Sequence, residues 1–317
     1  MNSKMLTSAK LDQDTVYTLE DLDRWPREGV SMAVLGDPVA HSLSPRMYHA
    51  ALACMAQTQP MFADWHYVKM FVPEGQLGPA LERLWEAGFL GMNLVLPHKV
   101  AAVSLAAELD ENAREVGAVN TLLRLPTGGY RGYNTDTYGL EEAVRRDLDA
   151  TLAGEDVILL GAGGAAQAVA HHILRSGCKS LWIGNRSQER LARVLEGLQP
   201  VAGEGRLHGF DLTNPPAGLP TSGLMVNGTS LGLHRGDPAP VDLAYFEDSL
   251  KIYDMTYGHA NALCLAARER GIRYADGASM LVWQGVRAME IYSGTSVPAQ
   301  PMMNAVCAGS GCPVRHV

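Results

Sequence analysis

Short apolar runs alternate with amphipathic stretches along most of the chain. "SMAVLG" (31–36), "DWHYVKMFV" (64–72) and "FLGMNLVLP" (89–97) have the length and the closing Gly or Pro of strands. Between and after them, "PRMYHAALACMAQ" (45–57), "LERLWEAG" (81–88) and "HKVAAVSLAAELD" (98–110) repeat their apolar positions at helical spacing. "AVNTLLRL" (118–125) and "YRGYNTD" (130–136), joined by "PTGG", predict a hairpin. From Asp156 the alternation becomes regular: "DVILLG", a helix through "AGGAAQAVAHHILRSG", "SLWIGNR", a helix through "SQERLARVLEGL", then strands at "LHGFDL", "GLMVNG" and "KIYDM". Ala166, Val169, Ala170, Ile173 and Leu174 form one apolar stripe, and Leu191, Val194, Leu195 and Leu198 another. Strand and helix in this order require right-handed crossovers and a mainly parallel sheet, so the fold class is α/β. A last helix is expected over 278–294, and residues 1–29 read as an appendage before the first core strand.

Length makes this picture two domains rather than one, because 317 residues exceed what a single core usually organises. A formal net charge of −8 argues against a partner bound through phosphate neutralisation, so no nucleic acid is expected and a small molecule is. No uninterrupted apolar stretch has membrane-spanning length, and "MNSKMLTSAKLDQD" lacks the apolar core of a signal peptide. The expectation is a cytoplasmic protein without a membrane partner. Five scattered cysteines do not describe a disulfide framework. Cys307 and Cys312 fit no zinc spacing, no metal site is expected, and 296–317 reads as a flexible tail. A homodimer through a sheet edge at "MFADWHYVKMFV" is the one assembly the pattern suggests.

Between the strand ending at Leu160 and the following helix lies "GAGGAAQA", spanning Gly161, Ala162, Gly163, Gly164 and Ala165. Gly161 permits a tight turn, Gly163 lets the backbone approach a pyrophosphate, and the helix start offers unpaired N–H groups and a positive dipole end. A turn that merely tolerates glycine is the plainer alternative. The end of the second strand, "GNRSQER", brings Asn185, Arg186, Ser187 and Arg190 in place of an acid. Cations there suit a 2′-phosphate, which favours NADP over NAD. Alternatively, Glu189 pairs with Arg186 or Arg190 and the group is only a solvated charge cluster.

In the first half, "GDPVAHSLSP" (36–45) sets Ser42 and Ser44 ahead of a proline-started helix, a combination suited to a carboxylate. "GAVNTL" (117–122) embeds Asn120 in a strand, "GYNTD" (132–136) ends on Asp136, and Asn93 and Lys99 flank the end of another strand. Each has a structural explanation as a cap, a buried amide or a salt bridge.

Together these pieces resemble the shikimate dehydrogenase family. "GDPVAHSLSP", "GMNLVLPHK", "GAVNTL", "GYNTD", "GAGGAAQAV", "NRS", "NGTSLG" (227–232), "YDMTY" (253–257) and "SMLVWQG" (279–285) run in the family's order over roughly residues 30–295. The resemblance implies a substrate domain over 30–136 completed by 278–295, and a Rossmann-type doubly wound NADP domain over 137–277. It implies NADP-dependent interconversion of shikimate and 3-dehydroshikimate. Quinate or an aminated analogue, with NAD possible, is the variant within the class; an NADPH sensor without turnover is the alternative outside it. It further implies Lys99 and Asp136 as catalytic pair and Ser42, Ser44 and Tyr257 at the substrate carboxylate. Asn93, Asn120 and Gln284 fall on ring hydroxyls, and Asn227 and Thr229 on the cofactor. Three places depart from the pattern: Val95 stands where the family commonly has threonine, Thr137 where glycine is usual, and "YGHANAL" differs from the usual turn after the tyrosine.

Overall fold

The computed structural model describes residues 11–310, except for the side chain of Ala165. The chain divides into two compact units. One takes in residues up to Tyr138 together with Gln284–Gly309, and the other Gly139–Trp283 with Ser310.

The first unit is built on a mixed seven-stranded sheet. Its strands are β1 (Val16–Tyr17), β2 (Val30–Gly36), β3 (Trp65–Phe71), β4 (Gly91–Leu94), β5 (Glu108–Leu109), β6 (Thr121–Arg124) and β7 (Tyr130–Tyr133), in the order β1-β3-β2-β4-β6-β7-β5. Helices α1 (Ser44–Met55), α2 (Leu77–Glu86), α3 (His98–Leu105) and α4 (Glu111–Val116) connect them. The expected hairpin is present, with Thr121 opposite Tyr133 and Arg124 opposite Tyr130. β2, β3 and β4 run parallel and buried, which explains their near-continuous apolar runs.

Two expectations for the ends of this unit are corrected. Residues 16–25 are not an appendage: Tyr17 joins the sheet beside β3, and Leu22 and Trp25 lie in the core, Trp25 donating to Ser31 Oγ at 2.9 Å. The edge of β3 is occupied at Lys69 and Met70 by β1, so the chain itself covers part of the edge considered for dimer pairing. Residues 299–310 are not a loose tail but helix α10 (Ala299–Ser310), with Met302, Met303, Val306 and Cys307 buried. Glycine and serine near the end masked an apolar stripe at helical spacing. Cys307 donates to Met303 Sδ at 3.7 Å, and Cys312 lies outside the described residues.

The second unit carries six parallel strands: β8 (Asp156–Leu160), β9 (Ser180–Asn185), β10 (Leu207–Asp211), β11 (Leu224–Asn227), β12 (Lys251–Asp254) and β13 (Arg273–Asp276). Their order, β10-β9-β8-β11-β12-β13, is that of a doubly wound dinucleotide fold, with its switch point between β8 and β11. Helices α5 (Asp136–Leu148), α6 (Gly164–Arg175), α7 (Gln188–Ala202), α8 (Ala262–Glu269) and α9 (Ala278–Ser293) accompany the strands, α5 and α9 having an end in each unit. The stripes of α6 and α7 are buried as expected, apart from the half-buried Leu195. Among the described residues no helix is long and apolar enough to cross a membrane.

Candidate active site

β4 is shorter than its apolar run suggests. It ends at Leu94, and Lys99 stands in the first turn of α3 rather than on the strand. There its Nζ donates to Asp136 Oδ2 at 2.8 Å, with side chains 29% and 22% exposed, so the pair is shielded yet open to a small molecule. Asp136 opens α5, where Asn134 Oδ1 accepts from its backbone N–H at 3.1 Å. The second oxygen, Oδ1, accepts from the amide of Asn120 at 2.9 Å. That amide also meets Thr135 Oγ1 at 3.0 Å and Gln284 Oε1, from α9, at 3.4 Å. Asn120 Oδ1 in turn accepts from Thr135 N at 2.7 Å and Thr121 Oγ1 at 3.0 Å. Lys99, Asp136, Asn120 and Gln284 thus form one cluster whose polar atoms are oriented by two threonines.

Those threonines were not singled out in the sequence. A signal was available: "NT" occurs at 120–121 and again at 134–135, and the hairpin register brings the two pairs together. Thr137, the departure from glycine, is buried and its hydroxyl accepts from Asn112 at 2.7 Å. This bond ties the start of α5 to α4.

Asn93, on β4, is hydrogen-bonded within the protein. Tyr48 and Tyr67 hydroxyls donate to its Oδ1 at 2.9 and 2.7 Å, while its Nδ2 donates to Thr121 Oγ1 at 3.0 Å and to the Asn120 carbonyl at 3.3 Å. An amide has two acceptor sites and two N–H groups, so all four are used inside the protein. Only 6% exposed, Asn93 is the hub of a buried network beneath the cluster. Burial raises the Tyr48 and Tyr67 phenols far above their ordinary range, which keeps both as neutral donors.

Ser42 and Ser44 lie at the start of α1. Ser42 Oγ accepts from the Ser44 backbone N–H at 3.3 Å, the N-cap residue Leu43 makes no side-chain cap bond, and Pro45 occupies the first turn. Val95 follows β4 and packs its Cγ2 over Gly36, where any added Cβ would clash with it.

In the second unit Gly161 has φ +107°, a conformation few side chains tolerate, and a Cβ there would meet Gly228 O at 3.0 Å. Ala162 lies between it and Gly163, the cap of α6, which has extended backbone and no side-chain cap bond. A Cβ at Gly163 or Gly164 would meet nothing within 4 Å, so open space adjoins uncapped helical N–H groups. A bound pyrophosphate requires both. Ser187 caps α7 by accepting from Arg190 N at 3.3 Å, and Asn185 donates to Ser187 O at 2.9 Å. Glu189 pairs with Arg193 at 2.8 Å rather than with Arg186 or Arg190. Both arginines are exposed and have no ion pair among the described residues. Asn227 Oδ1 accepts from Thr229 N and Oγ1, and its Nδ2 donates to Asp254 Oδ1 at 2.9 Å. These two residues therefore shape the turn after β11. Tyr257 is half-buried, and burial raises its phenol pKa.

A doubly wound unit with an open glycine turn, carried by a chain whose other unit holds a lysine–aspartate–asparagine cluster, defines the class of two-domain dinucleotide-dependent oxidoreductases. Residues 34–122 match the shikimate dehydrogenase substrate binding domain, 142–206 the shikimate / quinate 5-dehydrogenase model, and 277–307 the shikimate 5′-dehydrogenase C-terminal domain. An NADP(+) shikimate dehydrogenase of Rubrobacter xylanophilus is 35% identical over 282 residues, covering 88% of this chain and 96% of the relative. The structure of shikimate 5-dehydrogenase from Thermus thermophilus with NADP(H) and shikimate has a TM-score of 0.75 at 31% identity, covering 88% of this chain and 99% of that one. Quinate dehydrogenase from Corynebacterium glutamicum with NAD has a TM-score of 0.76 at 25% identity, covering 88% and 99%. The chain belongs to the shikimate dehydrogenase family.

Proposed function

We propose that the protein interconverts shikimate and 3-dehydroshikimate with NADP, using Lys99 and Asp136 as the catalytic pair. The observation that carries this reading is the division of Asp136: one oxygen orients Lys99 and the other is held by Asn120. Such a carboxylate fixes the ammonium in place.

In the reduction direction Lys99 gives a proton to the ketone oxygen as hydride reaches the carbon; in oxidation it takes that proton back. The positive charge also stabilises the developing alkoxide. Asn120 and Gln284, buried beside the pair, are suited to ring hydroxyls. Ser42, Ser44 and the start of α1 are suited to the carboxylate, since hydroxyls and helical N–H groups both donate to an anion. Asn93 acts indirectly, by holding Thr121 under Asn120.

NADP, bound at the Gly161–Gly164 turn with its 2′-phosphate facing Arg186 and Arg190, would supply and receive the hydride. Cations without acidic partners favour that phosphate over a bare ribose. Quinate is the second reading, because Val95 removes a hydroxyl that family members commonly carry. Absorbance at the nicotinamide band, with shikimate and quinate against NADP and NAD, tests both. Reduction of NADP by shikimate is expected, and silence with every pair would refute the assignment.

A further inference from the structure

We infer that Lys69 supplies the positive charge of the carboxylate subsite that Val95 leaves without a hydroxyl. The inference rests on the shikimate-type reading above.

Lys69 lies on β3 and is only 6% exposed, unusual for a residue whose charged form is costly to bury. Its Nζ donates to the carbonyl of Ala40 at 2.8 Å. Ala40 belongs to the turn Val39–Ser42, closed by Ser42 N donating to Val39 O at 3.0 Å, so the ammonium is bonded into the turn that presents Ser42. No carboxylate lies within ion-pair distance of it among the described residues. The acid that senses its charge is the exposed Asp12, whose pKa is lowered mainly by Thr15 and least by Lys69.

The sheet register places Lys69 on the correct face. Val34 pairs with Lys69 on one side and with Asn93 on the other, and side chains paired in a sheet point the same way. Asn93 meets Tyr48 of α1, so this is the face that α1 covers. Tyr67, two residues before Lys69, points there too. Val95, two residues after Asn93, lies over Gly36, the next position on β2 after Val34 with the same orientation. Gly36 itself pairs with Phe71, so Lys69 stands one rung before Val95 on that face, and its Nζ reaches the Ser42 turn through Ala40. A tether to one carbonyl needs only a neutral donor. A buried ammonium with two further N–H groups suits an anion.

The test compares shikimate with its uncharged methyl ester in the full-length wild-type protein, in Lys69→Met and in Lys69→Gln. Glutamine can keep the Ala40 bond without the charge, and thermal unfolding verifies that each variant is folded. Loss of a charged hydrogen bond predicts a fall of roughly 10- to 100-fold in kcat/KM for the acid, carried by KM. The ester and NADP should change by less than about threefold, because neither presents the carboxylate to Lys69. Equal losses for acid and ester would make Lys69 a structural tether and overturn the inference, as would no loss in either folded variant. Failure of the wild-type protein to use shikimate at all would instead refute the functional reading, and the inference with it.

Discussion

Asn120 donates to one oxygen of Asp136 at 2.9 Å while Lys99 occupies the other at 2.8 Å, so a single carboxylate joins the starts of β6, α3 and α5. Removing the amine should stop proton transfer without disturbing the glycine turn of the other unit. Lys99→Ala is expected to lower kcat by at least about 100-fold. NADPH binding, followed by fluorescence, should stay within about twofold of the wild-type value, since the variant removes no group of that turn. Loss of both would identify a structural lysine.

Two asparagines that look equivalent in sequence should separate experimentally. Asn93→Ala removes the shared acceptor of two buried tyrosine hydroxyls and one donor to Thr121, and should cost about 2–4 kcal/mol of stability, read by denaturant unfolding, with little change in KM. Asn120→Ala should instead lower kcat/KM by roughly 100-fold, because it releases Asp136 as well as a substrate contact. A stable Asn93→Ala variant with a much higher KM would restore that residue to the substrate.

Val95→Thr has nearly the volume of the original and can keep a methyl group on Gly36. A hydroxyl restored there should raise kcat/KM for shikimate by a few-fold, as one added hydrogen bond to a carboxylate allows. Unchanged kinetics would mean that the valine does not face the substrate.

Arg186→Ala should weaken NADP by roughly 10- to 100-fold while leaving NAD within about twofold, since only NADP carries the second phosphate. The ratio of kcat/KM values for the two cofactors measures it. A parallel fall for both would place Arg186 on a group they share.

His49 accepts from Tyr67 N at 3.0 Å, and its other ring nitrogen meets Gln13 Oε1 at 3.2 Å. Burial, with His66 nearby, brings its pKa down to about 4. The unfolded chain binds this proton from about pH 6.5 and the folded chain only near the lower value, so stability falls as pH drops through that window. Unfolding free energies at pH 7 and 4.5 should show a fall up to about 3 kcal/mol smaller in His49→Asn than in the wild type. Identical acid sensitivity would exclude His49 as a contributor.

The glycine turn, the hairpin and the parallel strands were legible because each depends on local chemistry: positive φ at Gly161, turn residues at "PTGG", apolar runs buried on both faces. The ends were not. Residues 16–25 looked polar enough to be an appendage, yet Tyr17, Leu22 and Trp25 bury themselves against strands far along the chain. No local window contains that pairing.

By itself the sequence determined the two α/β units, the dinucleotide turn and the set of residue types that can handle a hydroxy acid. Periodicity, backbone preference and side-chain chemistry are properties of short segments. Only the tertiary structure decided how each polar group is used: Asn93 satisfied by two tyrosines, Asn120 turned to Asp136, Glu189 paired with Arg193, Lys69 bonded into the Ser42 turn. A polar side chain has a fixed number of donors and acceptors, and whether any remain for a ligand depends on neighbours that folding brings from other parts of the chain.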